Sequence, residues 1–256
     1  MLDPGRGRSK TGRLGCYVRD DRPFSGPAPP AVLYRYSPDR KGEHPRQHLA
    51  PFQGILQDRG VTEAACWAHA RRKFFDVQAA TQSLLAAEAL GRLAALYRIE
   101  TSVRGQPPEV RLATRKAQAE PLFAELRTWL ENTQARIPGK SDLAGAIRYT
   151  LSRWDALTLV LRDGRTCLDN NAAERAMRPM TLGRKNWLFA GSDAGGERAA
   201  AAYSLIETAK LNSLDPEHYL RHVLARIADH SVKRISELLP WNLDGIRTRL
   251  DQRDAA

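Results

Sequence analysis

The period of hydrophobic and polar positions changes once, near residue 60. Before that point, the short runs "LGCYV" and "AVLYRYS" are rich in Val, Tyr and Leu and flank the turn-forming stretch "DDRPFSGPAPP", a pattern that predicts two adjacent strands. From Val61 onward the pattern is helical. Trp67, Ala70, Phe74 and Val77 recur every three or four residues and predict one apolar helix face, with Arg71, Arg72 and Lys73 mostly off it. Three more helical stretches are predicted, about Ser83 to Arg104, Glu109 to Arg136 and Asp142 to Leu161, separated at "GQPP" and "IPGKS". After the loop "RDGRTC" a short helix is expected to begin near Asn171, interrupted by the glycine-bounded segment "GRKNWLFAGSD". Near the end, Asp215, Pro216 and Glu217 supply a side-chain cap, a first-turn proline and a first-turn acid. Leu220, Val223, Leu224 and Ile227 are expected to give the helix that follows a buried stripe.

Composition leaves this outline intact: 42% hydrophobic and 27% charged residues in a chain of 256 are those of a globular protein long enough to bury a core. Charge changes the picture more. The net charge of +11 attracts polyanions, and the excess of arginine over lysine favours bidentate contact with phosphate, so nucleic acid is the first partner to consider. A GC-rich genome also enriches arginine, so charge alone does not decide the matter. Cys16, Cys66 and Cys167 lie far apart with no secretory apolar segment before them, which predicts reduced thiols. No apolar run approaches the length needed to cross a bilayer, and a soluble, intracellular protein is expected.

Glu174 is the carboxylate that most needs an explanation, because it sits among amides and cations in "LDNNAAERAMRP". One reading is a capping box, with Asn171 as the cap and Glu174 three residues on reaching back to its N–H. The other is a metal-binding carboxylate in the first turn of a helix, beside Arg175 and Arg178 and kept ionised by the positive helix end. Arg178, Arg184, Lys185 and Trp187 combine a basic cluster with an aromatic platform suited to nucleic-acid backbones and unstacked bases; the competing reading is a solvated loop anchored by a tryptophan. Cys66 with His69, and His44 with His48, have spacings from which a zinc site can be drawn, but packing of the Cys66 helix and the proline after His44 favour a structural role. No nucleophile elbow, Walker loop or dinucleotide fingerprint is present.

The combination of "CWAHARRKFFD", "DNNAAERAMRP", "LGRKNWLFAGSDAGGERAA" and "YSLIETAKLNSLDPEHYL", with "DPGRGRSKTGRL" before and "ISELLPWN" after, resembles the insertion-sequence-66 family of bacterial transposases over nearly the whole chain. The resemblance implies an α/β protein with helices predominant: an RNase H-like core of the DDE type, a large helical insertion and a helical C-terminal tail. It implies strands of that core in 1–60, the insertion in 61–167, the glutamate and basic loop in 168–197 and the C-terminal domain in 198–256. Two aspartates and a glutamate in such enzymes hold two Mg²⁺ ions that activate water or a 3′ hydroxyl and stabilise the leaving oxygen. By this resemblance Glu174 is the catalytic, metal-binding glutamate. Arg175, Arg178, Arg184, Lys185 and Trp187 contact DNA, the partner is the transposon end, and a homo-oligomer or association with an intact transposase is expected.

The departures from the family pattern are also informative. The Asp-Glu-Thr-like strand that precedes the "DPGRG" loop in relatives is not in the chain, and "GILQ" runs straight into "DRGVTEAACWAH" where relatives carry an Asp-Gly-Tyr-like strand and turn. The tryptophan expected on the next strand is replaced in "RLGCYV". The expectation is therefore an internally deleted, catalytically defective remnant, with a non-catalytic DNA-binding or oligomerising protein as the alternative. Asp20, Asp21 and Asp58 are not supported by family position as replacement acids. A missing strand is also expected to leave a neighbour's backbone edge unpaired.

Overall fold

The computed structural model describes residues 11–39, 41, 43–49, 64–183 and 190–243. Helices predominate among them, with one two-stranded antiparallel sheet. The chain divides into two compact units, one of residues 1–20, 28–59 and 171–256 and the other of residues 21–27 and 60–170.

In the first unit β1 (Arg13–Arg19) pairs with β2 (Ala31–Ser37), in a register that sets Cys16 against Tyr34 and Val18 against Val32. Side chains alternate faces along a strand, so the even-numbered residues Leu14, Cys16, Val18, Val32, Tyr34 and Tyr36 share one face. All six join an apolar cluster with Ala176 and Ala200. The outer edge of β2 ends in side chains rather than in a third strand. The Val32 N–H donates to Thr208 Oγ1 at 3.1 Å, the Thr208 hydroxyl donates back to the Val32 carbonyl at 3.0 Å, the Tyr34 N–H donates to Ser204 Oγ at 2.8 Å and Asn212 donates to the Pro30 carbonyl at 2.8 Å. The contributing helix, Asp193–Leu211 with Asn212 as its cap, presents these groups at intervals of four residues, and they meet strand positions two apart. Its close approach requires Gly196, where a Cβ would lie 2.4 Å from the Tyr36 ring. On β1 the Leu14, Cys16 and Val18 backbone groups point away from β2, and no partner holds them among the described residues.

The remaining helices, in chain order, are α1 (Glu43–Leu49), α2 (Trp67–Thr81), α3 (Leu84–Ser102), α4 (Pro108–Thr114), α5 (Glu120–Arg136), α6 (Asp142–Leu151), α7 (Trp154–Leu157), α8 (Asn171–Gly183), α9 (Asp193–Leu211) and α10 (Pro216–Leu224). Helices α2 to α7 form the second unit around Trp67, Phe74, Leu93, Phe123, Leu130, Ile147 and Leu157. The predicted stripe of α2 is buried in full. Between α4 and α5 runs a π-helical turn, Arg115–Ala119, which places Arg111 and Arg115 inward. Each is 1% exposed, and both guanidinium groups bind Glu100 Oε1 at 2.7 Å. Carbonyls supply most of the other acceptors. Arg111 donates to Pro23 at 2.9 Å and Thr166 at 3.1 Å, and Arg115 to Thr166 at 2.9 Å and Val160 at 3.3 Å. The loop carrying Thr166 comes so near α4 that a Cβ at Gly164 would lie 1.8 Å from the Pro108 carbonyl oxygen.

The start of α10 is the predicted one, with the Asp215 carboxylate accepting from the His218 N–H at 2.9 Å. Its predicted stripe needs correction. The helix ends at Leu224, Leu224 is 70% exposed, and Ile227 lies beyond the helix at 40%. The buried side is formed by Tyr219, with Leu220 and Val223 packed against it, because the chain turns away after Val223.

Candidate functional site

Helix α8 carries the candidate residues, and the sheet holds its first turns. The Tyr34 hydroxyl donates to the Ala176 carbonyl and the Cys16 thiol donates to the Ala173 carbonyl at 3.8 Å, while Ala176 and Met180 are buried. Burial pushes the pKa of both anchors up, more strongly for the Tyr34 phenol, so both remain protonated donors at neutral pH. With that face fixed, Glu174, Arg175 and Arg178 are exposed. Glu174 stands in the first turn, where the helix end favours a negative charge, and Arg178 follows it at the i+4 position. The helix starts at Asn171 itself, one residue earlier than a box with Asn171 as its cap would have it. Arg184, Lys185 and Trp187 lie outside the described residues, as does Asp58.

A cavity of about 150 Å³ opens beside α8, lined by Val18, Asp20, Val32, Ala172, Arg175, Ala176, Glu207 and Leu211. Strand β1 ends one residue before Asp20, and α9 brings Glu207, so two carboxylates and one guanidinium meet there. Their juxtaposition has no local signal in the sequence, since the three come from positions 20, 175 and 207. Lys210 holds Glu207 at 2.7 Å. Glu174 does not line the cavity. Asp21 belongs to the other unit, where its carbonyl accepts from the Phe24 and Gly26 N–H groups of a tight turn.

The other carboxylate of the "LDNN" stretch is structural. Asp169 accepts from the Ala68 N–H at 2.9 Å in the first turn of α2 and from the Tyr97 hydroxyl at 2.6 Å. The Trp67 N–H donates to the Leu168 carbonyl at 2.9 Å and the Asn170 N–H to Cys66 Sγ at 3.3 Å. The "CWAH" and "LDN" segments are thus stitched together, which accounts for two sequence motifs by one contact. His44 binds Asp39 at 2.6 Å and His48 binds the Tyr17 hydroxyl at 3.1 Å, so both have structural partners in the first unit. The three cysteines form no disulfide.

A two-Mg²⁺ centre needs several carboxylates converging on one point to replace lost water ligands. Within either unit taken by itself, no three His, Cys, Asp or Glu side chains among the described residues come together in this way. Asp20 and Glu207 face a cavity that already contains Arg175, and Glu174 stands outside it. The described residues of the sheet unit therefore do not fit such a centre. No helix among the described residues is long and apolar enough to cross a membrane.

Comparison with known proteins agrees with the sequence motifs. The family pattern described as "Transposase IS66 family" matches residues 1–198, and that of the "IS66 C-terminal element" matches residues 204–241. Three proteins of Sinorhizobium fredii (strain NBRC 101917 / NGR234), each described only as uncharacterized, are similar over most of the chain. They are y4hP, 46% identical over 92% of this chain and 48% of its own length; y4jD, 41% identical over 94% and 51%; and y4qI, 39% identical over 94% and 48%. The chain spans about half the length of these curated relatives. No solved structure matches. The family generally uses a divalent metal ion, and by these matches the chain belongs to the IS66 family of transposases.

Proposed function

We propose that the chain is the glutamate-bearing portion of a transposase that acts on the DNA ends of an insertion sequence, and that the polypeptide of residues 1–256, by itself, binds DNA without cutting it. The observation that carries the second part is the separation of the acids: Glu174 is exposed on α8 while Asp20 faces a cavity shared with Arg175. An internal deletion is supported by alignment length, because the three relatives align over 264, 261 and 261 positions, more than the 256 residues of this chain. Some positions of each relative therefore stand opposite gaps here.

The packing of α8 on the sheet, and an outer edge of β1 with no partner among the described residues, support an RNase H-like sheet short of a strand. In this reading 1–60 holds the residual strands, 61–167 is a helical insertion, 168–197 carries Glu174 and the basic loop, and 198–256 is the family's C-terminal domain. Glu174 is by lineage an Mg²⁺ ligand. Arg175, Arg178, Arg184, Lys185 and Trp187 serve DNA binding, with the exposure of Arg175 and Arg178 in its favour.

The test is a mobility-shift assay with duplex DNA alongside incubation with supercoiled plasmid in millimolar Mg²⁺. Salt-sensitive binding with no strand cutting is expected. Mg²⁺-dependent cutting that disappears in Glu174→Gln would refute the non-cutting claim, and no binding at low salt would remove the DNA role.

A further inference from the structure

The even-numbered positions of the sheet are consumed by the apolar cluster; the odd-numbered ones form the opposite face. The register places Arg13 against Ser37, Gly15 against Arg35, Tyr17 against Leu33 and Arg19 against Ala31. Residues directly opposite one another share a face, so three arginines lie on one surface to which the two strands contribute no carboxylate. Four arginines of the helices each have an acid four residues away: Arg72 pairs with Asp76, Arg92 with Glu88, Arg127 with Glu131 and Arg221 with Glu217. Arg35 is exposed, and neither it nor Arg13 has a hydrogen bond or ion pair among the described residues. The Arg13 Nε is buried without a partner. Arg19 is aimed by two donations to the Pro29 carbonyl, at 3.0 and 2.8 Å, and lies 5.8 Å from the centre of the Trp241 ring.

We propose that this face, led by Arg13 and Arg35, is a phosphate-contact surface for a DNA backbone. It rests on the DNA-acting role above and adds residues outside the α8 cluster. Space for the backbone exists at Gly15, where a Cβ would meet only the Arg35 carbonyl oxygen, at 4.0 Å. Arg13 and Arg19, six residues apart on one strand, span about 20 Å, several phosphates of a DNA strand at roughly 3.4 Å rise each. The field of Arg35 reaches the neighbouring groups. It opposes the upward shift that burial gives the Tyr17 phenol, and after burial it is the next cause of the lowered His48 ionisation. A guanidinium that repels protons from its neighbours equally attracts phosphate. A fork of fixed donors suits that role better than an ammonium.

The experiment is fluorescence anisotropy of a labelled duplex against salt concentration, for the full chain and for Arg13→Gln, Arg35→Gln, Arg13→Lys and Arg72→Gln. Each Gln substitution on the sheet is expected to weaken binding several-fold, evenly across sequences, and to reduce the slope of log K against log salt by about 0.9. Arg13→Lys should restore most of the slope, and Arg72→Gln, already paired to Asp76, should change nothing. Arg35 is exposed, so its substitution keeps the test valid should Arg13→Gln fail to fold. A wild-type slope in Arg35→Gln and in a folded Arg13→Gln overturns the proposal. If Arg175→Gln and Arg178→Gln alone flatten the slope, this surface falls while the DNA role stands. If the parent chain does not bind duplex at low salt, or prefers anionic vesicles to it, both fall.

Discussion

Replacing Glu100 with glutamine tests how the helical unit tolerates two buried cations. The Glu100 side chain is 16% exposed, against 1% for Arg111 and 2% for Arg115, and its two oxygens accept four of the guanidinium donations at 2.7 to 3.0 Å. Glutamine keeps the shape but offers one carbonyl oxygen and an NH₂ that meets donors, leaving two guanidinium groups to be satisfied by the carbonyls of Pro23, Val160 and Thr166. Breaking a buried ion pair by removing one partner costs about 3–5 kcal/mol, most of it the desolvation of the charge left behind. Residual exposure of the carboxylate puts the expectation at the lower end, roughly 3 kcal/mol. In urea denaturation followed by far-UV circular dichroism, the midpoint of the transition should fall with its slope unchanged. In thermal melting, at roughly 2–4 °C per kcal/mol for a domain of this class, the loss is on the order of 10 °C. Replacing all three groups with leucine and methionine should not restore stability, since the loop carbonyls would lose their donors. A loss below about 1 kcal/mol for Glu100→Gln would refute the argument that the carboxylate compensates both arginines.

Thr208→Val removes the hydroxyl that serves both the N–H and the C=O of Val32, and is expected to cost about 1–3 kcal/mol in chemical denaturation. Asp215→Ala, which deletes the α10 cap, should cost about 1 kcal/mol, with Asp215→Asn recovering most of it. Burial, followed by the hydrogen bond to Asp169, raises the Tyr97 pKa far above its ordinary value. The folded state then holds this proton after the unfolded chain has released it. Stability from Tyr97 is therefore present below about pH 10 and lost as pH rises above it. Tyr97→Phe should flatten that alkaline loss in denaturation midpoints measured at rising pH; an unchanged slope would contradict the assignment.

Much of the helical structure was legible because its elements repeat locally. Trp67, Ala70, Phe74 and Val77 announce α2, and Asp215 with Pro216 announces α10, since stripe and cap lie within a few residues of each other. What depends on distant partners was hidden. Nothing in the local pattern marks Arg111 and Arg115 as buried, because their acceptors come from residues 23, 100 and 160–166. Ser204, Thr208 and Asn212 close a strand edge whose residues, Pro30 to Tyr34, lie some 170 or more positions earlier in the chain. Leu224 and Ile227 fit the α10 period but follow the point where packing ends. At the candidate site, the first-turn position and exposure of Glu174 follow from its spacing, whereas the meeting of Asp20, Arg175 and Glu207 does not. The alternation of "RLGCYVR" did carry a signal for the basic sheet face, visible once the even positions are known to be inside.

The central claim is that this polypeptide does not assemble the acids a pair of hard cations requires. Calorimetric titration of Mg²⁺ into the 256-residue chain and its Glu174→Gln variant tests it most directly. The account predicts the same weak, unsaturable heats for both proteins. A saturable Mg²⁺ site that vanishes in the variant would contradict it.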